Sequence, residues 1–274
     1  MNFTPQPNLA FIGGGNMASA IIGGLLRQGT APSRIQIVEP SAEARERLLS
    51  SHGLSAMESP SPALAQANLV VWAIKPQVFK EVAEQTRPHC PHALHLSVAA
   101  GIRSDSITTW LQSEKVVRAM PNTPALVGLG QTGLFARPDV SPPEKQWVEQ
   151  VVSTTGQHLW VGQESLLDAV TAISGSGPAY VFFFIEAMVQ AGISMGLTAD
   201  QAHQLAVGTF VGASTLAQNT SESPSTLRER VTSKGGTTYA AITSMQADNL
   251  SGLFAKALEA ARARAHELGD EFGR

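Results

Sequence analysis

The chain has little of several features that define whole classes of protein. Its 274 residues contain one cysteine, Cys90, which excludes an internal disulfide and favours a reducing compartment. Charged residues make up only 15%, the formal net charge is −3, and no run of lysine or arginine occurs. A field that attracts phosphate backbones is therefore missing, and nucleic-acid binding is not expected.

Targeting and membrane segments are not expected either. Residues 1–8 show neither a cationic segment nor an apolar core, so no secretory signal is predicted. The most apolar stretch, Ala179–Ile185, is soon interrupted by Glu186 and Gln190, so it is interpreted as a buried helix and not as a membrane span. We expect a cytoplasmic protein without a membrane partner.

Apolar residues, by contrast, are abundant. They form 43% of the chain, and together with the low charged fraction they favour an oligomer that hides additional surface. The length exceeds that of most single domains, so two modest domains are expected, each with its own core.

Short apolar runs alternate with helical patterns through the first part of the chain. This alternation predicts an α/β domain, a Rossmann-like, doubly wound and mainly parallel sheet covered by helices on both faces. The predicted strands are Leu9–Gly13, Ile35–Glu39, Leu69–Ile74, Leu94–Val98, Val116–Met120 and His158–Val161. The predicted helices are Met17–Gln28, Ala42–Ser50, Gln77–Thr86, Ser104–Leu111 and Pro142–Thr154.

The second part is predicted to be all-helical. Thr198 with Gln201 forms a capping box, and Ser223 before Pro224 is typical of a helix start. We therefore predict a dinucleotide-binding domain over residues 1–162 and a helical substrate-binding and dimerisation domain over 163–274. The predicted helices are Ser165–Ile173, Ala179–Met195, Ala199–Gln218, Pro224–Val231 and Tyr239–Leu268.

The segment Gly13–Ala18, here called the glycine loop, fits the pattern G-x-G-x-x-A between a strand and a helix. Gly13 permits a tight turn, and Gly15 lets the backbone approach a pyrophosphate. The N–H groups at the helix start, around Asn16 and Met17, then face the anion. The loop predicts a nicotinamide dinucleotide as cofactor.

The choice between NADH and NADPH stays open at this stage. Glu39 ends the second strand, where an acidic residue binds the ribose and repels a 2′-phosphate, and this favours NADH. Ser41, Arg45 and Arg47 follow closely and are able to bend towards a phosphate, which keeps NADPH open. Further cofactor contacts are expected where strands end, at Ala73, Lys75, Pro76, Ala99 and Asn122.

A second motif, Val231–Thr238, here called the late turn, combines hydroxyl groups with glycines ahead of another helix. With this motif the chain resembles the pyrroline-5-carboxylate reductases, which catalyse the last step of proline synthesis. The stretches that carry the resemblance are Phe11–Ala18, Met120–Ala125, Ile173–Tyr180 and Val231–Thr238. It implies a Rossmann domain, a helical domain interlocked with a partner's, and an active site assembled at that dimer.

The resemblance also implies substrate-binding residues for a cyclic imino acid, namely Ser233, Gly236, Thr237 and Thr238, with Glu164 nearby. A helix that begins at Thr237 or Thr238 presents unpaired N–H groups to a substrate carboxylate. The hydroxyl of Thr238, the candidate catalytic residue, is able to bond the ring nitrogen. Four positions depart from the family pattern: Glu39, Pro60, Arg230 and Lys234.

Two other functions are compatible with the same sequence features. A related dehydrogenase or imine reductase acting on another small carboxylate is the first alternative, although the hydroxy-acid enzymes use a lysine on the inter-domain helix and Gly175–Ile193 contains none. A non-catalytic dinucleotide sensor is the second alternative. A zinc site at His89, Cys90, His92 and His95 is rejected because the spacing is not that of metal ligands, so no metal is expected.

Overall fold

A computed structural model describes residues 6–273. Residues 1–5, part of the segment in which no secretory signal is predicted, lie outside the described residues. Seven strands form one sheet. They are Leu9–Ile12 (β1), Ile35–Val38 (β2), Leu69–Trp72 (β3), Leu94–Ser97 (β4), Val116–Met120 (β5), Gly130–Ala136 (β6) and Gly156–Trp160 (β7).

The strands lie in the order β2-β1-β3-β4-β5-β6-β7. β1 to β5 pair in parallel, β6 is antiparallel to β5, and β7 is parallel to β6. The expected mainly parallel, Rossmann-like sheet is thus confirmed, and the six predicted strands end within two residues of the observed ones. β6 was missed because its glycines weaken the strand pattern. A Cβ at Gly133 would lie 2.7 Å from Val170, so that glycine permits close packing.

The helices follow the predicted pattern with one clear difference. Predicted helix Tyr239–Leu268 is wrong as a single element, because Asn249 adopts a left-handed conformation with φ of 50° and interrupts it. The helices are Asn16–Arg27 (α1), Ala42–His52 (α2), Pro76–Thr86 (α3), Ser104–Leu111 (α4), Pro142–Val152 (α5), Leu166–Val170 (α6), Gly177–Ser194 (α7), Ala199–Gln218 (α8), Pro224–Arg230 (α9), Thr237–Ala247 (α10) and Leu250–Phe272 (α11).

Local capping explains several of these boundaries. The Thr198 side chain accepts a hydrogen bond from the Gln201 N–H, and the Gln201 side-chain oxygen accepts one from the Thr198 N–H, so the predicted capping box is confirmed. Ser223 caps α9, with Pro224 at its first position, again as predicted.

The core of the sheet lies on both of its faces. In β1, Leu9 and Phe11 belong to one buried cluster, whereas Ala10 and Ile12 belong to the other. All four residues are at most 2% exposed. Strands buried on both sides are typical of parallel sheets covered by helices. The parallel pairing places the carboxyl ends of β1 to β5 at one edge of the sheet.

The described chain divides into two compact units. The first comprises residues 6–176 together with 261–273 and contains the whole sheet; the second comprises Gly177–Ala260 and is helical. Inside the second unit, Phe254 makes edge-on ring contacts with Tyr180 and Phe184 at centroid distances of 5.7 and 5.6 Å. These units are defined by compact packing and not by function. The predicted boundary near residue 162, between the dinucleotide-binding domain and the helical domain, therefore stays a prediction.

The long apolar helix is not buried by the chain itself. The segment Leu166–Ser194 is long and apolar enough to cross a membrane by length and composition, and only 6% of its most apolar window is buried. Phe182 and Phe183 are each 66% exposed. The interpretation of Ala179–Ile185 as a buried helix is therefore wrong for a single chain, in which none of these residues is buried.

Candidate functional site

The first glycine of the glycine loop is held between three strands. Gly13 has a φ of +98°, and its N–H donates to the carbonyl of Val38 over 2.8 Å. A Cβ there would lie 2.4 Å from the carbonyl oxygen of Ala73, a contact that no side chain tolerates. Only glycine fits this tight turn at the end of β1.

The end of the glycine loop leaves the start of α1 open. Gly15 is the N-cap of α1, and no side chain caps the helix there. A Cβ on Gly15 would meet nothing within 4 Å, so the backbone faces free space. The following residues, Asn16 and Met17, form the first turn, and Ala18 is fully buried against the sheet. An exposed helix start with free N–H groups fits the pyrophosphate of a dinucleotide.

Glu39 and Ser41 lie beside the glycine loop. The Glu39 carboxylate accepts from the Gly14 N–H at 2.7 Å and from the Ser41 N–H at 2.8 Å. The Ser41 hydroxyl accepts from the Ala44 N–H at 3.3 Å and so caps α2. The carboxylate thereby links the loop after β1 to the helix after β2.

The other predicted cofactor residues follow the ends of neighbouring strands. Ala73 comes directly after β3, with its N–H donating to the Ile12 carbonyl at 2.8 Å. Lys75 is the N-cap of α3 and Pro76 its first residue. Ala99 follows β4 and is buried. Because β1, β3 and β4 are parallel, these positions and the glycine loop share one edge of the sheet, where ligands of such folds bind.

The side chain of Asn122 is already used within the protein. Its Nδ2 donates to the carbonyl and hydroxyl oxygens of Ser174 at 3.2 and 3.1 Å, and its Oδ1 accepts from the Gln131 N–H at 2.9 Å. The side chain therefore ties the loop after β5 to the π-helical turn Thr171–Gly175. A cofactor contact at Asn122 stays a prediction, and the backbone is the part left to make it.

Glu164 takes part in a network that sequence analysis missed. One carboxylate oxygen accepts from the Ser104 N–H at 2.6 Å and from Arg118 at 2.7 Å, and the other accepts from the Ser104 hydroxyl at 2.5 Å. Glu164 thus closes the start of α4 and neutralises an arginine that is only 9% exposed. A charge inside the apolar strand Val116–Met120 is the signal that would have predicted a carboxylate partner. The role of Glu164 beside the substrate stays a prediction.

The late turn belongs to the second unit. The φ of Gly235 is +77°, and Gly236 is the N-cap of α10, with no side chain capping that helix. A Cβ on Gly236 would lie 2.6 Å from the hydroxyl of Ser233, so that hydroxyl lies beside the N-cap. The helix begins at Thr237, as predicted; Thr237 is exposed and Thr238 half-buried in the single chain.

Cys90 and His95 are both buried, and each lies in its own surroundings. Trp72 Nε1 donates to His95 Nδ1 at 3.2 Å inside the sheet, and burial lowers the pKa of His95 to about 4. Burial also raises the pKa of the Cys90 thiol to about 11, which opposes thiolate formation. Within residues 6–273, no three His, Cys, Asp or Glu side chains are grouped in a way that would hold a metal ion.

Comparisons with known proteins match both parts of the chain. Residues 8–101 match the family model "NADP oxidoreductase coenzyme F420-dependent", and residues 164–268 match "Pyrroline-5-carboxylate reductase dimerisation". The pyrroline-5-carboxylate reductase of Pseudomonas aeruginosa is 43% identical over 97% of this chain and 98% of its own. The chain belongs to the pyrroline-5-carboxylate reductase family.

Solved reductase structures agree with this membership. That of Coxiella burnetii superposes with a TM-score of 0.91 at 39% identity, covering 96% of this chain and 98% of the other. The Plasmodium falciparum enzyme, solved with NADP bound, has a TM-score of 0.84 at 27% identity, covering 96% of this chain and 98% of its own. The resemblance inferred from the four sequence stretches, and the Rossmann-like domain followed by a helical dimerisation domain, are confirmed.

The family also explains the exposed apolar helix. The dimerisation model spans residues 164–268 and so includes all of α7, where Phe182 and Phe183 are exposed. A surface of this kind in a pyrroline-5-carboxylate reductase is suited to burial against another chain.

Proposed function

We propose that this chain catalyses the reduction of 1-pyrroline-5-carboxylate to L-proline with NADPH or NADH as the hydride donor. The observation that carries the proposal is the start of α10, where the late turn leaves a helix N-terminus without a side-chain cap in a chain that is 43% identical to a named reductase. An uncapped helix start is an anion site, and the substrate bears a carboxylate.

The cofactor half of the site is proposed at the sheet edge. Gly13 and Gly15 shape the loop that admits the pyrophosphate, and the N–H groups of the first α1 turn, at Asn16 and Met17, face it. Glu39, Ser41, Ala73, Lys75, Pro76, Ala99 and Asn122 complete the proposed set. When bound, the nicotinamide supplies the hydride.

The substrate half is proposed at the late turn. The N–H groups around Gly236 and Thr237 bind the substrate carboxylate, and the hydroxyl of Ser233, beside the N-cap, adds a donor. Thr238 is the proposed catalytic residue, because its hydroxyl holds the ring nitrogen and turns the C=N carbon towards the cofactor. Glu164 is proposed to lie near the substrate while its carboxylate remains bound to Ser104 and Arg118.

The proposed assembly is a homo-oligomer built from interlocked dimers, acting in the cytoplasm without membrane or nucleic-acid partners. Its support is the exposed apolar surface of α7 within the matched dimerisation region. The domain assignment that accompanies it is a cofactor domain over residues 1–162 and a substrate and dimerisation domain over 163–274.

The alternatives make different predictions. A hydroxy-acid dehydrogenase of this architecture needs a catalytic lysine on the inter-domain helix, and α7 contains none. A dinucleotide sensor binds the cofactor but shows no steady-state turnover, so detectable oxidation of the cofactor by the cyclic imine excludes it.

Removal of the Thr238 hydroxyl tests the assignment of Thr238 as the catalytic residue. Replacement Thr238→Ala should lower kcat/KM for pyrroline-5-carboxylate by about 10- to 100-fold, the cost of losing a hydrogen bond to the ring nitrogen, which is charged in the protonated imine that accepts the hydride. Thr238→Ser should restore most of the activity, since the hydroxyl returns. The assay follows cofactor oxidation with NADH and NADPH in parallel.

A matched control is available on α4. Thr109 is exposed and its hydroxyl donates to the Asp105 carbonyl of its own helix at 2.8 Å, so Thr109→Ala should leave kcat/KM unchanged. If Thr238→Ala reduces the imine as fast as the unmodified protein, the catalytic assignment is wrong.

A further inference from the structure

Glu39 directly follows β2, where dinucleotide-binding folds carry the acidic residue that binds the adenosine ribose. Its two oxygens accept from the N–H groups of Gly14 and Ser41 at 2.7 and 2.8 Å. A Cβ on Gly14 would come within 3.3 Å of the Glu39 side chain, so the glycine loop lies directly against it. The side chain is therefore fixed in place by the loop and by the start of α2.

A carboxylate held in this way keeps acceptor capacity for a ligand. Each ionised carboxyl group has about four lone-pair directions, and the two N–H donors use two of them. A ribose bound above the glycine loop has hydroxyl donors that match the remainder. At the end of β2, this is the arrangement that recognises an unphosphorylated ribose.

The two arginines nearby are engaged elsewhere. Arg45 donates to the carbonyl oxygens of Glu39 and Pro40 at 2.9 and 2.7 Å, and it lies 3.8 Å from the Glu58 carboxylate. Arg47 forms an exposed ion pair with Glu43 at 2.7 Å. A 2′-phosphate would have to draw one of these guanidinium groups away from its partners while lying against a fixed negative charge.

We propose that Glu39 makes this chain selective for NADH by binding the ribose hydroxyls and repelling the 2′-phosphate of NADPH. The proposal rests on the proposed reductase function and deepens it, since that function names NADPH or NADH without choosing between them. The preferred cofactor proposed for this chain differs from the one bound in the structure of the Plasmodium relative, which was solved with NADP. A 2′-phosphate adds close to two negative charges within contact distance of a carboxylate, so the expected preference for the unphosphorylated ligand is at least about tenfold.

Binding of redox-inactive cofactor fragments tests the proposal without catalysis. Isothermal titration calorimetry should show that the full chain binds ADP-ribose at least about tenfold more tightly than 2′-phospho-ADP-ribose. Replacement Glu39→Ser should reduce that ratio at least about tenfold. Glu39→Gln, which keeps the shape and one acceptor but removes the charge, should also reduce it.

The control variant removes the same charge from a nearby position. Glu46 lies exposed on α2, so Glu46→Ser changes the net charge equally and should leave the ratio unchanged. A ratio near one in the unmodified protein, or an unchanged ratio in both Glu39 variants, would overturn the proposal. Thermal unfolding of each variant, compared with the unmodified protein, identifies a loss of binding caused by unfolding.

Turnover measurements separate this proposal from the proposed reductase function. If the fragments bind with the expected ratio but pyrroline-5-carboxylate is not reduced, the reductase function fails and the role of Glu39 stands. If the imine is reduced equally well with NADH and NADPH and the fragment ratio is near one, only the role of Glu39 fails.

Discussion

Two glycine-containing turns in this chain lead into helices whose N-termini have no side-chain cap, and the two differ in their surroundings. The glycine loop is packed against strands: Gly13 is buried, and a Cβ there would collide with the Ala73 carbonyl at 2.4 Å. In the late turn, a Cβ on Gly235 would meet nothing within 4 Å. Both turns use an extended glycine as N-cap, Gly15 and Gly236.

The glycine loop is therefore packed within a single chain, whereas the late turn remains exposed in it. The Glu39 carboxylate accepts a hydrogen bond from the glycine loop, so the proposed selectivity for the cofactor depends on residues of the first unit. Ser233 and Thr237 of the late turn are exposed in the single chain. We expect the late turn to become a substrate site only when a partner chain covers it.

The largest effect should come from placing a methyl group in each turn. Gly13→Ala forces a side chain into positive φ and against a strand carbonyl, so it should destabilise the protein by about 2–5 kcal/mol and abolish cofactor binding. Gly235→Ala meets only the backbone strain, about 1–2 kcal/mol. Urea unfolding and calorimetric titration with ADP-ribose measure both consequences.

Equal losses of unfolding free energy in Gly13→Ala and Gly235→Ala would contradict the proposed difference between the two turns. That outcome would mean that the Ala73 carbonyl yields easily to the new methyl group, and that the glycine loop is no more constrained than the late turn.

The same contrast explains what the sequence could predict. Strand ends, the glycine loop and the start of α10 are local features, and the pattern of apolar residues, glycines and hydroxyl groups located them to within a few residues. The ion pair of Arg118 with Glu164 joins positions 46 residues apart, so the charge inside the strand predicts a carboxylate partner but no local pattern identifies which carboxylate it is. The left-handed Asn249 that divides α10 from α11 was equally invisible, because asparagine is also tolerated inside helices.

The hydrogen-bond partners of the proposed cofactor residues could not be predicted from the sequence either. The positions of Glu39 and Arg45 in the chain allowed either ribose recognition or phosphate recognition. The proposal of ribose recognition rests on the bonds of Arg45 to two carbonyl oxygens and of Glu39 to two N–H groups, which only the structure shows.

A charge on the exposed surface of α7 should impair the function of the late turn and leave cofactor binding at the glycine loop intact. Phe182 is 66% exposed in the single chain, and Phe182→Asp would bury an unpaired carboxylate in the proposed dimer at a cost of several kcal/mol. The variant should sediment as a smaller species and lose at least about tenfold in kcat, because the late turn lacks its partner. ADP-ribose binding at the glycine loop should persist.

The matched control places the same charge on the first unit. Leu49 is 53% exposed on α2, outside the matched dimerisation region, so Leu49→Asp should keep the assembly and the activity. A Phe182→Asp protein that sediments as a monomer yet retains full turnover would show that one chain completes the late turn, contrary to the comparison.

The smallest effect concerns the interior beside the glycine loop and appears as a dependence on pH. Trp72, next to the Ala73 against which Gly13 packs, donates to His95, whose pKa burial lowers from 6.5 to about 4. The unfolded chain therefore binds a proton at this histidine between about pH 6.5 and 4, whereas the folded chain does not. The stability from neutral His95 is complete above pH 6.5 and is lost as the pH falls towards 4.

Lowering the pH from 7 to 5.5 should cost about 1 kcal/mol through this group. Carboxylates elsewhere titrate over an overlapping range, so the measurement is the difference in unfolding free energy between the unmodified protein and His95→Gln, whose amide oxygen accepts from Trp72 without titrating. That difference should shrink as the pH falls. A difference that stays constant from pH 7 to 5.5 would mean that His95 takes up its proton in the folded protein, and that the strands beside the glycine loop are less closed to water than their packing indicates.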